Sequence, residues 1–87
     1  LKSVQTLDLG KNGISNIPNE VAGMVQLKEV QLPMNRFSHI PPPLLQLRNL
    51  RILNLYVNKI ETLPEDFSRL LLVELDLSHN LLRTIPS

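Results

Sequence analysis

The side chains best suited to chemistry lie in the last quarter of the chain, where two carboxylates are two residues apart. If Glu74 and Asp76 occupied one β-strand, they would share a face with their Cα atoms about 6.5 Å apart. Glycosidases hold paired carboxylates at a similar separation. Nothing around either residue predicts a pocket, or a burial that would raise a carboxyl pKa. A solvated polar face is therefore the favoured interpretation.

Ser78 and His79 follow Asp76 and supply the residue types of a hydrolase triad. Neighbouring residues of a strand point to opposite faces, so these three side chains would not converge. The other histidine, His39, is far away in the sequence. Cysteine is absent and glycine occurs three times, which excludes thiolate sites and a glycine-rich phosphate loop from this segment. We therefore expect no enzyme activity, no catalytic residue, no metal site and no cofactor.

The composition favours an aliphatic core and gives no sign of a nucleic-acid or membrane partner. Hydrophobic residues make up 43% of the 87 residues and aromatic residues 3%, and the net charge is +1. So small a charge gives no argument for binding nucleic acid or an anionic membrane. The longest apolar run, Leu70 to Val73, is too short to span a bilayer. With no signal peptide, cysteine or glycosylation sequon in the segment, we expect a cytoplasmic location.

Asparagine and proline recur along the chain with one period. The asparagines Asn12, Asn35, Asn58 and Asn80 are separated by 23, 23 and 22 residues, and so are Pro18, Pro41, Pro64 and Pro86. Two residue types that share a period, including its shorter last step, indicate an internal repeat. The chain is then a single array, residues 1–87, with repeats 4–26, 27–49, 50–71 and a partial 72–87.

Seven positions of each repeat are apolar wherever the chain contains them. In the first repeat they are Val4, Leu7, Leu9, Ile14, Ile17, Val21 and Met24. Leu1 occupies the last of these positions in a preceding repeat, and Ile85 belongs to the fourth. No polar capping repeat is visible, so we interpret the chain as an uncapped fragment of a longer array, or as a chain that neighbours stabilise at its ends.

The segment from Leu50 to Ile60 matches the signature L-x-x-L-x-L-x-x-N-x-L. The chain resembles leucine-rich-repeat proteins over its whole length. Its 23-residue period, with Ile-Pro or Leu-Pro after the signature, resembles the intracellular Ras-associated class, which includes Ras-pathway scaffolds and the repeat region of fungal adenylyl cyclase. The resemblance implies an α/β fold, a right-handed solenoid or horseshoe. Short parallel β-strands would line its concave face, with loops and short helical or 3-10 turns on its convex face.

The period of two around the signature leucines independently predicts a short strand with one buried face. Copies of the strand would stack about 4.8 Å apart. After each strand the backbone turns inward, where an asparagine amide can both donate and accept hydrogen bonds. We therefore predict a structural ladder of Asn12, Asn35, Asn58 and Asn80, and we place the repeated prolines on the convex path. Pro33 lacks a donor at a strand end, which predicts loosened pairing or a bulge there.

Strand residues that point away from the core would form a binding face on the concave side. Twelve such positions include four acids and no base. Its middle is apolar, with Ile52 and Tyr56 beside Pro33, Met34 and Val57, and a central aromatic ringed by polar groups is typical of binding hot spots. The predicted partner-binding residues are Asp8, Glu29, Gln31, Ile52, Asn54, Tyr56, Glu74 and Asp76. We expect a non-catalytic module with a scaffold or signalling role that binds a protein partner there.

Two other functions fit the same sequence. The array could localise a larger enzyme, such as a cyclase, kinase or phosphatase, of which it is a non-catalytic part. It could also be a structural module that self-associates through its uncapped ends or through exposed apolar side chains. The side chains expected to be exposed in this way are Val25, Leu45, Leu71 and Leu81.

Overall fold

The computed structural model describes residues 5–82, which coil around one aliphatic core. Four strands form a parallel sheet in chain order. They are β1 (Thr6–Asp8), β2 (Glu29–Gln31), β3 (Ile52–Asn54) and β4 (Glu74–Asp76). The return paths between them contain three 3-10 helices: η1 (Asn19–Gly23), η2 (Pro42–Gln46) and η3 (Glu65–Arg69). Each repeat therefore makes one turn of a coil, with its strand on one side and its 3-10 helix on the other.

The repeated prolines start the 3-10 helices. Pro18, Pro41 and Pro64 each precede a helix, and each proline carbonyl accepts a hydrogen bond from the N–H three residues later, at 3.0 to 3.1 Å. Proline suits this position because its φ is fixed and the first turn of a helix needs no N–H donor from it. The N–H groups that donate belong to apolar residues of the repeat, which are thereby turned towards the core. In the Pro41–Pro43 run the first and third prolines are buried, so the run is part of the coil.

The core is deepest in the second and third repeats. Leu27, Leu32, Leu50, Leu55 and Ile60 have no exposed surface, because each is covered by the coil before it and the coil after it. Leu75 occupies the same position in the fourth repeat as Leu53 in the third, yet it is 39% exposed. The core positions predicted at Leu1, Val4 and Ile85, and the proline at 86, lie outside the described residues.

The asparagines tie each repeat to the one before it. The Asn58 amide donates to the carbonyls of Leu32 (2.8 Å) and Leu55 (3.0 Å), and its oxygen accepts from the Phe37 N–H (3.1 Å). Asn35 donates to the carbonyl of Leu9 (3.0 Å), the equivalent of Leu32 one repeat earlier, and to that of Pro33 (3.3 Å), and its oxygen accepts from the N–H groups of Asn12 and Ile14. Asn80 repeats the pattern, donating to Leu55 O and accepting from Ile60 N–H. The asparagine side chains thus provide hydrogen-bond partners for backbone groups that the inward turn removes from water.

The loosened pairing predicted at Pro33 is wrong. The carbonyl of Pro33 accepts from Lys11 N–H at 2.9 Å, and the next residue, Met34, donates to Tyr56 O at 2.7 Å, so the ladder continues on both sides of the proline. The N–H at this position is not used in the ladder of any repeat. At Gly10, Tyr56 and Ser78 it donates to the side chain two residues earlier. A proline therefore removes no bond between strands.

Candidate protein-binding face

The strand register aligns the outward-pointing residues of the sheet into two rows. Row one contains Thr6, Glu29, Ile52 and Glu74, and row two contains Asp8, Gln31, Asn54 and Asp76. Neighbours within a row belong to strands about 4.8 Å apart. Seven of the eight predicted partner-binding residues lie in these rows, and Tyr56 lies two residues beyond Asn54. The fold thus brings all eight onto one concave face, while their role in binding stays a prediction.

A chain of side-chain hydrogen bonds connects the rows in the middle of the face. The Asn54 amide donates to Gln31 Oε1, and the Gln31 amide donates to Glu29 Oε2, each at 2.8 Å. Both amide groups therefore direct donors towards their neighbours on the face. This series of hydrogen bonds ends at the Glu29 carboxylate, which can still accept hydrogen bonds from a partner.

Short turns fix the second row at its carboxyl end. One side-chain oxygen each of Asp8, Asn54 and Asp76 accepts the N–H two residues later, at 2.9 to 3.1 Å. The hydrogen bond from the Ser78 N–H is the main reason that the pKa of Asp76 lies below its ordinary value, and the Ser78 hydroxyl and the nearby His79 lower it further. Asp76 is therefore an ionised carboxylate at neutral pH. Gln31 is longer and forms no such turn, which is consistent with proline two residues later.

The four carboxylates of the face have no basic residue among them. Asp8 and Glu74 are exposed, and Glu29 and Asp76 are half-buried. The nearest bases lie at the border, where Arg51 turns its guanidinium back to donate to the carbonyls of Arg48 and Leu50, both at 3.0 Å. The face is therefore negatively charged and rich in acceptors.

An apolar centre lies within this acidic face. We define it as Ile52, Tyr56, Pro33, Met34 and Val57. Met34 is 43% and Val57 36% exposed, and the other three are half-buried. The rings of Tyr56 and His79 meet edge to face, with centroids 5.3 Å apart and planes at 89°. Because this ring contact already restricts the Tyr56 side chain, little conformational entropy is lost when a partner binds to it.

Sequence reasoning missed the backbone geometry beside this centre. Lys11, Met34, Val57 and His79, one in each repeat, have φ between 54° and 62°. Apart from glycine, the left-handed conformation is enriched in asparagine, aspartate and histidine, and only His79 is of those types. Residue type therefore gave a signal at His79 alone; for the other three, only the shared position in the repeat could have indicated this conformation.

The structure also places the other residues considered for function. Within residues 5–82 no group of three or more histidines and acids is placed to hold a metal ion. No helix in the same range is long and apolar enough to cross a membrane. Val25, Leu71 and Leu81 are 54 to 66% exposed. The prediction for Leu45 is wrong: this residue is half-buried, because it packs against the core.

Two open depressions occur on the described surface. One of about 510 Å³ lies on the concave face and includes Gln31, Asn54, Glu74 and Asp76 in its lining. A larger one, about 790 Å³, lies where η2 and η3 end and is lined by Leu45, Arg48, Arg69 and Leu71 among others. The larger depression is basic at its rim and lies away from the acidic face, so the two surfaces differ in charge.

Comparisons with known proteins identify the repeat. A family described as Leucine rich repeat matches residues 25–82, and a second of the same description matches residues 3–24. The chain is 40% identical to the leucine-rich repeat-containing G-protein coupled receptor 5 of Rattus norvegicus over 99% of its own length, but it spans only 10% of that receptor. A solved leucine-rich-repeat protein of Leptospira interrogans superimposes with a TM-score of 0.89 at 38% identity, over 98% of this chain and 22% of that one. This chain belongs to the leucine-rich-repeat family and folds as a leucine-rich-repeat solenoid.

Proposed function

We propose that the chain is a non-catalytic module that binds a protein partner on its concave face, in a scaffold or signalling role. Leucine-rich-repeat relatives suggest a protein-interaction module in general. The observation that carries the proposal here is the alignment of the two rows, which contain Ile52 and four carboxylates but no basic residue and which end beside Tyr56. An aromatic anchor within a ring of polar groups is the usual composition of an energetic hot spot.

The chemistry of the face selects a basic partner. Its carboxylates offer acceptors, and the amide donors of Gln31 and Asn54 are already directed to neighbours on the face. A segment with lysine or arginine supplies the missing donors, and an apolar side chain of the same segment covers the apolar centre. Exposed ion pairs contribute about 0.2–1 kcal/mol each, so the apolar contact provides most of the affinity and the charges provide selectivity.

Two other roles are each supported by one observation. The chain spans about a tenth of its receptor relative and about a fifth of the solved protein, which fits a localising region within a larger protein, such as an enzyme. Leu71 is 66% exposed beside the basic depression, which fits self-association through that side. The Ras-associated class and the cytoplasmic location stay predictions.

A library of displayed random 12-residue peptides, selected on the immobilised chain, tests the proposal without a known partner. We expect the enriched peptides to contain lysine or arginine together with an aromatic or aliphatic residue. Replacing both Glu29 and Glu74 with lysine changes the net charge of the face from −4 to zero, so the variant should bind these peptides at least tenfold more weakly, because the attraction to the basic residues is lost. Fluorescence anisotropy of a labelled peptide measures the dissociation constant.

The matched control places the same charge change on the convex side. Glu20 and Glu65 are exposed residues of η1 and η3, and replacing both with lysine also changes the net charge by +4. This control should retain most of the affinity, apart from a weak long-range effect that salt screens. Equal losses in the two variants, or enrichment of acidic peptides, would contradict a binding site on the acidic face.

A further inference from the structure

The strongest unexplained feature of the described chain is the backbone conformation of Val57. Its φ is 54°. A β-branched residue is the least suited to the left-handed region, because both of its Cβ substituents crowd the backbone there. The other residues at this position, Lys11, Met34 and His79, are unbranched at Cβ and adopt it at lower cost.

The fold imposes this conformation. The N–H of Val57 donates to Ser78 O at 3.0 Å, which continues the ladder to the fourth repeat. The next residue, Asn58, must turn into the core, where it is 5% exposed and makes the bonds described above. A left-handed residue between these two requirements recurs in every described repeat, so the strain persists because surrounding contacts determine it.

Burial does not explain why valine occupies this position. Val57 is 36% exposed, whereas the core residues on either side of it, Leu55 and Ile60, have no exposed surface. Asparagine or glycine would fit the backbone better and would cost no core packing. Valine is therefore unfavourable at this position in the isolated chain, because its backbone conformation is strained and its side chain is not buried in the core.

The position of Val57 relative to the apolar centre suggests what it does. In the next repeat, the equivalent residue His79 contacts the ring of Tyr56, so a side chain at this position leans over the preceding repeat along the concave border. Val57 has the same left-handed backbone conformation, and the residue that corresponds to Tyr56 in the preceding repeat is Pro33, which is followed by the exposed Met34. Val57 thus extends the apolar centre from Tyr56 towards the second repeat.

We propose that Val57 is a contact residue for the basic partner segment and that its strained conformation is retained for that contact. The proposal rests on the proposed function and assigns a role in binding to the strained backbone of one member of the apolar centre. It assigns an apolar side chain of the partner to the position over Val57 and Met34, next to the one over Tyr56. Stability and binding are then opposed at this residue.

Replacing Val57 with asparagine tests this opposition, with the peptides selected on the unmodified chain as probes. The variant should melt about 4 °C higher, because asparagine accepts the left-handed conformation. It should also bind the peptides about tenfold more weakly, because the apolar contact is lost. Replacing Val57 with isoleucine keeps both the branched side chain and the contact, and should leave melting temperature and affinity nearly unchanged.

Val25→Asn is the matched control, since Val25 is 55% exposed and has no positive φ. It should change neither quantity. A Val57→Asn variant that is stabilised but binds normally would overturn the contact, and one that is not stabilised would overturn the strain. Measuring Tyr56→Ala in parallel separates the two proposals: if it loses binding and Val57→Asn does not, only the inference about Val57 fails, and if neither loses binding, the proposed function fails with it.

Discussion

Replacing Asn58 with alanine will lower the free energy of unfolding by about 3 kcal/mol, because it leaves two buried backbone groups without partners. These are the carbonyl of Leu32 and the N–H of Phe37, whereas the carbonyl of Leu55 still accepts from the Asn80 amide. Each buried group left unsatisfied costs about 1–3 kcal/mol, and water entering the space would recover part of this. Urea unfolding followed by circular dichroism measures the loss.

Asn12 gives the control, because it is the same residue type at the same repeat position on the exposed side of the ladder. Its amide donates to Leu9 O at 2.8 Å, but the residue is exposed and water can replace it. We expect Asn12→Ala to cost under about 1 kcal/mol. Similar losses for the two variants would show that burial of the ladder does not determine its contribution.

Replacing Tyr56 with alanine will weaken binding of the selected basic peptides by about 100-fold with no loss of secondary structure. Tyrosine anchors at the centre of an interface contribute 2 kcal/mol or more when truncated, and about 2.7 kcal/mol corresponds to 100-fold. Tyr56 is half-buried and its ring lies against His79, so little ordering is needed on binding. Anisotropy titrations measure the affinity, and circular dichroism checks the fold.

Leu71→Ala is the corresponding control for a large exposed side chain on another surface. Leu71 is 66% exposed and lines the basic depression. Its removal should leave peptide affinity within about twofold, because exposed residues outside an interface contribute little to its energy. If Leu71→Ala weakened binding and Tyr56→Ala did not, the peptides would be bound at the depression.

The repeat could be read from the sequence because two residue types and the apolar positions carry it independently. The roles of Asn35 and Pro41 depend on local chemistry. The inward turn needs a side-chain amide, and the start of a 3-10 helix suits a proline ring, which has no N–H donor. These requirements recur with each coil. The register of the strands, and with it the two rows of the concave face, follows from the same period.

Features that depend on more than one repeat could not be read in this way. Pro33 was predicted to disturb the ladder, because the sequence does not show which N–H groups of a repeat bond to the neighbouring strand. The N–H at the position of Pro33 is not one of them. The left-handed conformation of Val57 is imposed by Ser78 O in the next repeat and by Asn58. Leu45 packs against the core although its position in the repeat suggested exposure.

The most direct test of the binding face is a two-dimensional NMR titration of the isotope-labelled chain with a selected basic peptide. We expect the largest amide shift changes along the two rows and at the second residue after β3, in particular at Glu29, Asn54 and Tyr56. Signals from η2 and from Leu71 should stay nearly unchanged. Shift changes centred on η2 and Leu71, with the strand amides unaffected, would contradict the claim that the concave face binds the partner.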